Sequence, residues 1–533
     1  MRRREVLAGL GGVAAAALGA CGDRLAEREF LVPGRIVGAA AERGHRLREP
    51  LADAAPDASL RCETLIVGAG VSGLAAAAAL DRAGRGDYLV CELADEPGGN
   101  AVGGRNSVSS YPWGAHYVPI ADPADEALCR LFAQAGVIRG VRDDGLPIYD
   151  ETALCADPDE RLWIRGIWQE GFAPAVGVTP ADAAQLQRFL ASADGWRARA
   201  GADGRPAFAL PLAQCSADPA IEALDAESFA SYLDREGYTA APLRWFLDYC
   251  CRDDFGAPAA GVSAWAGLHY FAARRGRAAN ASRVDVVTWP EGNGFLVRTL
   301  AGGVGRRLHT GLIARRLERR NGGVVVEATD AASGARLRLE AAAAILAVPR
   351  HVLERLDPAC RPPGPAAVHV PWAVANVTLS ARPGGIGAPL AWDNVKYQSP
   401  LLGYVVADHQ RLGAPRAALV ITYYWPLSHL PPAEARRFAA ARTHADWCHD
   451  FLAELWWLHP ELRGRVENLD VWIWGHGMVC PVPGYCAEGL RRARATAPAP
   501  VFLAHTDLGG ISVFEEALAQ GERAAAERLR LRA

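Results

Sequence analysis

Three glycines, Gly68, Gly70 and Gly73, followed by an acid, Glu92, have the spacing in this chain that most directly specifies chemistry. They sit in the run T-L-I-V-G-A-G-V-S-G-L from Thr64 to Leu74. Gly68 permits a tight turn, Gly70 lets backbone approach a pyrophosphate, and Gly73 lets a helix close onto a strand. Ser72 falls in the first turn of that helix, where free N–H groups and the positive dipole end face phosphate. Glu92, about 20 residues on, can accept hydrogen bonds from a ribose diol, and its charge repels a 2′-phosphate. The chemistry is dinucleotide binding.

Those residues need a strand, a helix and a second strand to hold them. Leu65–Val67 reads as a buried parallel strand, Val71–Ala83 as an alanine-rich helix, and Tyr88–Cys91 as the next strand. Gly98, Gly99 and Asn100 then form a tight loop that can lie against the cofactor. Arg105 either neutralises phosphate charge or sits in a solvated loop. Residues 121–287 have helical spacing and read as an insertion covering a ligand site. Asn321-Gly322-Gly323 marks a hairpin between Leu312–Leu317 and Val324–Ala328, with further strands expected at 335–339 and 343–348. One long amphipathic helix is expected near 433–458, and a strand at 501–504 precedes a last helix, 513–530.

The fold class is therefore α/β. A Rossmann-like domain is assembled from 61–121, 286–355 and 466–533, and an inserted α+β substrate domain comprises 122–285 and 356–465. Residues 1–21 read as an export signal and 22–60 as a tether whose later part packs on the body. Arg3-Arg4 with the apolar stretch Leu7–Leu18 resembles a twin-arginine signal, and Leu18-Gly19-Ala20-Cys21 resembles a lipobox. A periplasmic protein, tethered to membrane through lipidated Cys21, is expected. A net charge of −3 gives no footprint for nucleic acid. The other cysteines match no metal or disulfide spacing and read as small buried residues. Lys396 is the only lysine.

The pattern resembles the flavin-containing amine oxidase superfamily, which includes monoamine and polyamine oxidases, protoporphyrinogen oxidase and phytoene desaturases. The resemblance rests on the glycine fingerprint with Glu92, the Gly98-Gly99 loop, Trp113-Gly114-Ala115-His116, Pro290-x-Gly292, the hairpin, Ile345–Pro349, and Asp507 followed by Phe514-Glu515-Glu516-Ala517 and Gly521-Glu522-Arg523. It implies FAD as cofactor, with Asp507 bonding the ribityl chain and the last helix directed at the flavin. It further implies a small-molecule substrate oxidised at a C–N bond by hydride transfer to flavin N5.

The departures bear on catalysis. Asn100 replaces the family's arginine after the paired glycines, unless Arg105 takes over that role. Asn376 stands where the family's lysine holds a water near the flavin, and Val513 stands at a tyrosine of the aromatic cage. Lys396 either reaches the flavin from a neighbouring strand or lies on the surface. His116, Trp474, His476 and Phe514 are candidate lining residues, and Cys480 or His476 is a candidate for covalent flavin attachment. Desaturation or isomerisation of an apolar substrate is the alternative activity, and a FAD-stabilised envelope scaffold the alternative class. Acids in the pocket would favour an amine, an apolar tunnel a lipid.

Overall fold

A computed structural model describes residues 30–38, 41–51, 55–360, 362, 364–494 and 499–531. The export signal and Cys21 lie outside the described residues.

The fold begins from the strand Ala58–Val67, whose Leu65 and Ile66 are fully buried. It pairs in parallel with Tyr88–Cys91 on one side and Arg336–Leu346 on the other. The C-terminal strand Val501–Leu503 also runs parallel to Arg336–Leu346. Adjacent parallel strands require crossovers, and the helix Val71–Arg82 supplies the first. Its buried alanines, Ala75, Ala76 and Ala77, keep it thin enough for the last helix, Phe514–Arg530, to pack against it. At that crossing a Cβ on Gly521 would lie 2.1 Å from the Ser72 carbonyl oxygen. Leu312–Arg320 and Gly323–Asp330 form the expected hairpin, turning through Gly322 at φ +91°. The two strands expected at 335–339 and 343–348 are one continuous strand, Arg336–Leu346.

A second sheet has eight strands in the order Ile36–Gly38, Val466–Cys480, Val368–Leu379, Leu419–Pro426, Tyr404–Val406, Asp393–Lys396, Glu160–Ile164 and Ile167–Glu170. This corrects the expected division of the chain. The piece 466–533 splits, because Val466–Cys480 pairs antiparallel along Val368–Leu379 and belongs to the second sheet. From the C-terminal segment, Val501–Leu503 and Phe514–Arg530 return to the nucleotide side. The expected long helix also splits, into Pro432–Ala441 and His444–Leu458. Thr443 and Asp446 form a capping box there, which starts a new helix by satisfying its first N–H groups. The N-terminal segment packs on this body: Ile36–Gly38 adds a parallel edge strand to Val471–Ile473. Helices within 180–272, among them Ala241–Phe255 and Ala264–Ala272, cover the cleft between the sheets.

Candidate active site

The glycine turn takes the form its spacing demands. Gly68 has φ +99°, and a Cβ there would lie 2.4 Å from the Ala347 carbonyl oxygen; one on Gly73 would lie 1.9 Å from that of Gly68. Both are therefore required by the protein's own packing. Gly70 is different: its φ is −70°, and a Cβ would meet nothing nearer than Gly99 Cα at 3.9 Å. The fold leaves room for a side chain at Gly70, so the absence of one suits a group brought close from outside. No side chain caps the helix that follows, and its first N–H groups precede the Leu74 to Gly70 bond of 3.0 Å. Gly98, at φ +135°, and Gly99, at φ +56°, fold against this turn, with Gly98 N donating to Ala69 O at 2.9 Å. Glu92 braces the same turn, accepting from Ala69 N at 2.7 Å and Ala94 N at 2.8 Å. Burial raises its pKa against those two amides. Each oxygen keeps a lone pair for a further donor.

Asp507 follows the strand Val501–Leu503, at the same carboxyl end of the sheet as the glycine turn, and is 1% exposed. Its Oδ2 accepts from Arg350 N at 2.8 Å and lies 2.9 Å from His369 Nε2. Its Oδ1 lies 3.2 Å from His505 Nδ1, which pairs with it when the ring is protonated and otherwise accepts from Asp507 N at 3.1 Å. Burial opposes ionisation, but the facing His505 and His369 overcome it and hold the carboxyl well below its ordinary range. The result is an ionised acid whose Oδ1 has only the His505 ring beside it and keeps a lone pair, which fits a hydroxyl-bearing chain such as a ribityl. Next to it His351 stacks on His476 with centroids 4.1 Å apart, and burial pushes them down to about 3 and about 4. His476 thus belongs to this histidine group.

Between the nucleotide fold and the second sheet lies a cavity. The loop from Gly114 to Tyr117, Trp372 and Val374, Tyr424, Trp474, Gly477 and the stretch Ser512–Glu515 form its walls. His116 stacks on Tyr424 at 4.6 Å, and burial lowers its pKa to about 4, so the imidazole is neutral at pH 7. Tyr424 OH donates to Gly114 O at 3.0 Å, and Trp474 Nε1 donates to Trp113 O at 2.6 Å. Asn100 lines the cavity and donates through Nδ2 to Gly477 O. Phe514 and Val513 also face it. Tyr424 and Tyr117 supply the aromatic surface that Val513 does not.

Three carboxylates complete the lining: Asp253, Asp254 and Glu515. Asp253 and Asp254 occupy the last turn of Ala241–Phe255, where the helix dipole disfavours negative charge. Burial, and then Asp254, push Asp253 up to about 7. Burial likewise pushes Glu515 to about 7, although it lies in the first turn of its helix. Neither makes a hydrogen bond or ion pair to another side chain among the described contacts. Arg274, 3.8 Å from Asp254 and donating to Tyr117 OH at 3.1 Å, is the cation among them. Glu160 and Asp393 are further buried carboxyls repelled by Asp253: burial raises both, followed by repulsion from Asp159 for Glu160 and from Asp253 for Asp393. The cavity is a cage of aromatic rings with an excess of buried acid.

Other expected residues stand elsewhere. Asn376 is buried within the second sheet, donating to Pro112 O at 3.0 Å and accepting from Thr422 Oγ1 at 2.6 Å, so both ends of its amide are engaged. Lys396 does not reach the cavity; its Nζ lies 3.8 Å from Glu454 and 4.8 Å from the ring centre of Trp457. Arg105 is exposed on the ribbon Gly103–Arg105 with Ser110–Pro112. Cys480 packs in the helical core, its thiol near Gly261 O. Ser72 is buried against the last helix. The acids at Asp253 and Asp254 were not expected, although two carboxylates at the unfavourable end of a helix, just before the terminating Gly256, are a signal the sequence carries.

Residues 66–135 match a family described as NAD(P)-binding Rossmann-like domain. No curated protein matches the sequence. Among solved structures, a cyclohexylamine oxidase from Brevibacterium oxydans is 17% identical with a TM-score of 0.63, covering 89% of this chain and 100% of its own. A putrescine oxidase bound to putrescine is 18% identical with a TM-score of 0.59, over 89% and 100%. A fatty acid isomerase from P. acnes is 16% identical with a TM-score of 0.58, over 87% and 97%. With its glycine turn, acid-capped second strand and two-sheet cleft, the chain shares the fold of cyclohexylamine oxidase and putrescine oxidase.

Proposed function

We propose that this protein binds FAD and oxidises a C–N bond of a cationic amine. The observation that carries the reading is the cavity itself, in which Asp253, Asp254 and Glu515 face aromatic rings with Arg274 as their counter-charge. A buried excess of carboxylate is unfavourable until a cation joins it, and aromatic faces attract the same ligand. The fit for FAD rests on the side-chain-free space at Gly70, the uncapped helix behind it and the buried, ionised Asp507, whose Oδ1 keeps a lone pair. When bound, FAD supplies the two-electron acceptor that such an oxidation needs. The protein's part is to bind the ammonium, exclude water with Trp372, Tyr424 and Trp474, and take up a proton so that the nitrogen is neutral. A carboxylate oxygen of Asp253 or Glu515, poised near neutral pH, is matched to that last task. An apolar substrate would leave these acids uncompensated, and a fatty acid, named for the isomerase, would bring a further carboxylate beside them.

The test is a visible spectrum recorded without oxygen while amines are added. Bleaching of a yellow protein supports the reading; a flavin that stays oxidised with every amine overturns the amine assignment and favours the desaturase or scaffold readings. A pH dependence follows. Carboxyls raised to about 7 are charged above that pH and neutral below it, so kcat/KM for a cationic amine should fall by about tenfold per unit below pH 7. A flat profile between pH 5 and 8 would show that these acids do not hold the substrate.

We also propose that the chain is exported by the twin-arginine route and tethered to the bacterial envelope at Cys21, on the strength of Arg3-Arg4 and Leu18–Cys21. Arg3→Lys with Arg4→Lys should leave the protein in the cytoplasm; unchanged export would exclude that route.

A further inference from the structure

We propose that the C-terminal end of the helix His444–Leu458, around Trp457, rests on the lipid bilayer. The inference rests on the reading of Cys21 as the lipidated residue. From Cys21 to Phe30 the chain can extend no more than about 30 Å. Phe30 does not hang free: its ring packs on Trp456 with centroids 4.5 Å apart and on His449 at 4.6 Å. The described chain therefore begins against this helix, and a lipid carried on Cys21 lies within about 30 Å of it.

The next residue, Trp457, is 59% exposed, and it is the one tryptophan among the exposed large hydrophobic residues described. His449, Ala453 and Trp457, spaced by four, form the exposed stripe of the helix. Lys396, the sole lysine, places Nζ 4.8 Å from the Trp457 ring centre, and the Trp163 ring stands 6.0 Å away on its edge. Glu454, 3.8 Å from Nζ, is buried beneath the pair. Of the nearby surface acids, Asp446 is in the first turn, Asp450 is at mid-helix paired with Arg442, and Glu461 follows the C-terminal end beside His459. An amphipathic indole beside a long-stemmed cation is the chemistry that settles at the headgroup level, ring toward the acyl boundary and ammonium toward phosphate. A lipid anchor holds more firmly when a second contact joins it. The expected contact gives Lys396 and Trp457 a common role outside the cavity.

The test uses the full mature chain on vesicles of phosphatidylcholine and phosphatidylglycerol, with hydroxyl-radical labelling of Trp457 read by peptide mass spectrometry. Labelling of Trp457 should slow several-fold on vesicles, relative to Cys21→Ser protein free in solution, while exposed Leu412 in another loop is labelled equally in both. Trp457→Ala should weaken flotation without altering the flavin spectrum. Equal labelling of Trp457 in both states overturns the proposal, and so does protection of the Cys21→Ser protein alone, which would mean a second copy covers the ring. The mass of the N-terminal peptide reports acylation separately. If Cys21 carries no lipid, a hexahistidine in its place on nickel-chelating vesicles restores the tether, and the labelling outcome decides in the same way.

Discussion

Asp253→Asn should lower kcat/KM for a cationic amine by about a hundredfold, the kinetic equivalent of about 3 kcal/mol lost when one partner of a buried charge pair is removed. The loss should fall on binding of the charged substrate while FAD content stays stoichiometric, because Asp253 lines the cavity and touches none of the nucleotide loop. The same variant should be more heat-stable than the parent at pH 8. The sign follows from its pKa, which burial raises from an ordinary 3.8 to about 7. The unfolded chain releases that proton near pH 4 and the folded chain only near 7, so ionisation opposes folding increasingly between the two. Asparagine removes the opposition, and the gain in melting temperature should vanish near pH 4. Asp253 has no hydrogen bond among the described contacts to lose. A variant that is both less active and less stable would show that Asp253 is a structural residue. Asp254→Asn is a poorer probe, since it leaves Arg274 without the acid 3.8 Å away.

Gly70→Ala should give a folded protein that has lost its cofactor. The position has φ −70° and ψ −178°, which any residue adopts, and the nearest atom to the new Cβ is 3.9 Å away. At a helix N-cap the change from glycine costs only about a few tenths of a kcal/mol to 1 kcal/mol, so the melting temperature should move little. Where backbone must approach a pyrophosphate, however, one methyl group displaces the phosphate, and FAD affinity should fall by about a hundredfold or more. The measurement is flavin absorbance per protein after gel filtration, with circular dichroism as the check on folding. Gly73→Ala is the contrasting control: its Cβ would sit 1.9 Å from the Gly68 carbonyl oxygen and should disrupt the fold itself. Retention of stoichiometric FAD by folded Gly70→Ala would remove the cofactor assignment from this loop.

These two predictions stand on different kinds of information. The glycine turn, Glu92, the hairpin through Gly322 and the final helix were legible in the amino-acid sequence, because each is set by residues a few positions apart whose backbone preferences are local. The sequence also carried the departures at Asn376 and Asn100, since a missing residue type shows in one dimension. It did not carry the assignment of Val466–Cys480 to the second sheet, since its partner strand, Val368–Leu379, lies about a hundred residues away. Nor did it show that Pro432–Ala441 and His444–Leu458 are separate helices, because apolar spacing continues across the capping box at Thr443.

The cavity was decided by tertiary structure alone. Asp253 and Asp254 come from the end of one helix, Arg274 from a loop after the next, and Glu515 from the last helix, and no local pattern relates them. Their pKa values follow from burial and mutual repulsion, which exist only once the chain has closed around them. Lys396 makes the same point in reverse: as the sole lysine it stood out in the sequence, yet the register of Asp393–Lys396 beside Glu160–Ile164 sends it to Glu454 and Trp457, away from the cavity. Sequence alone determined that a dinucleotide is held, because that needs a turn and a helix end; what the cleft accepts depended on charges gathered from distant segments into a low-dielectric space.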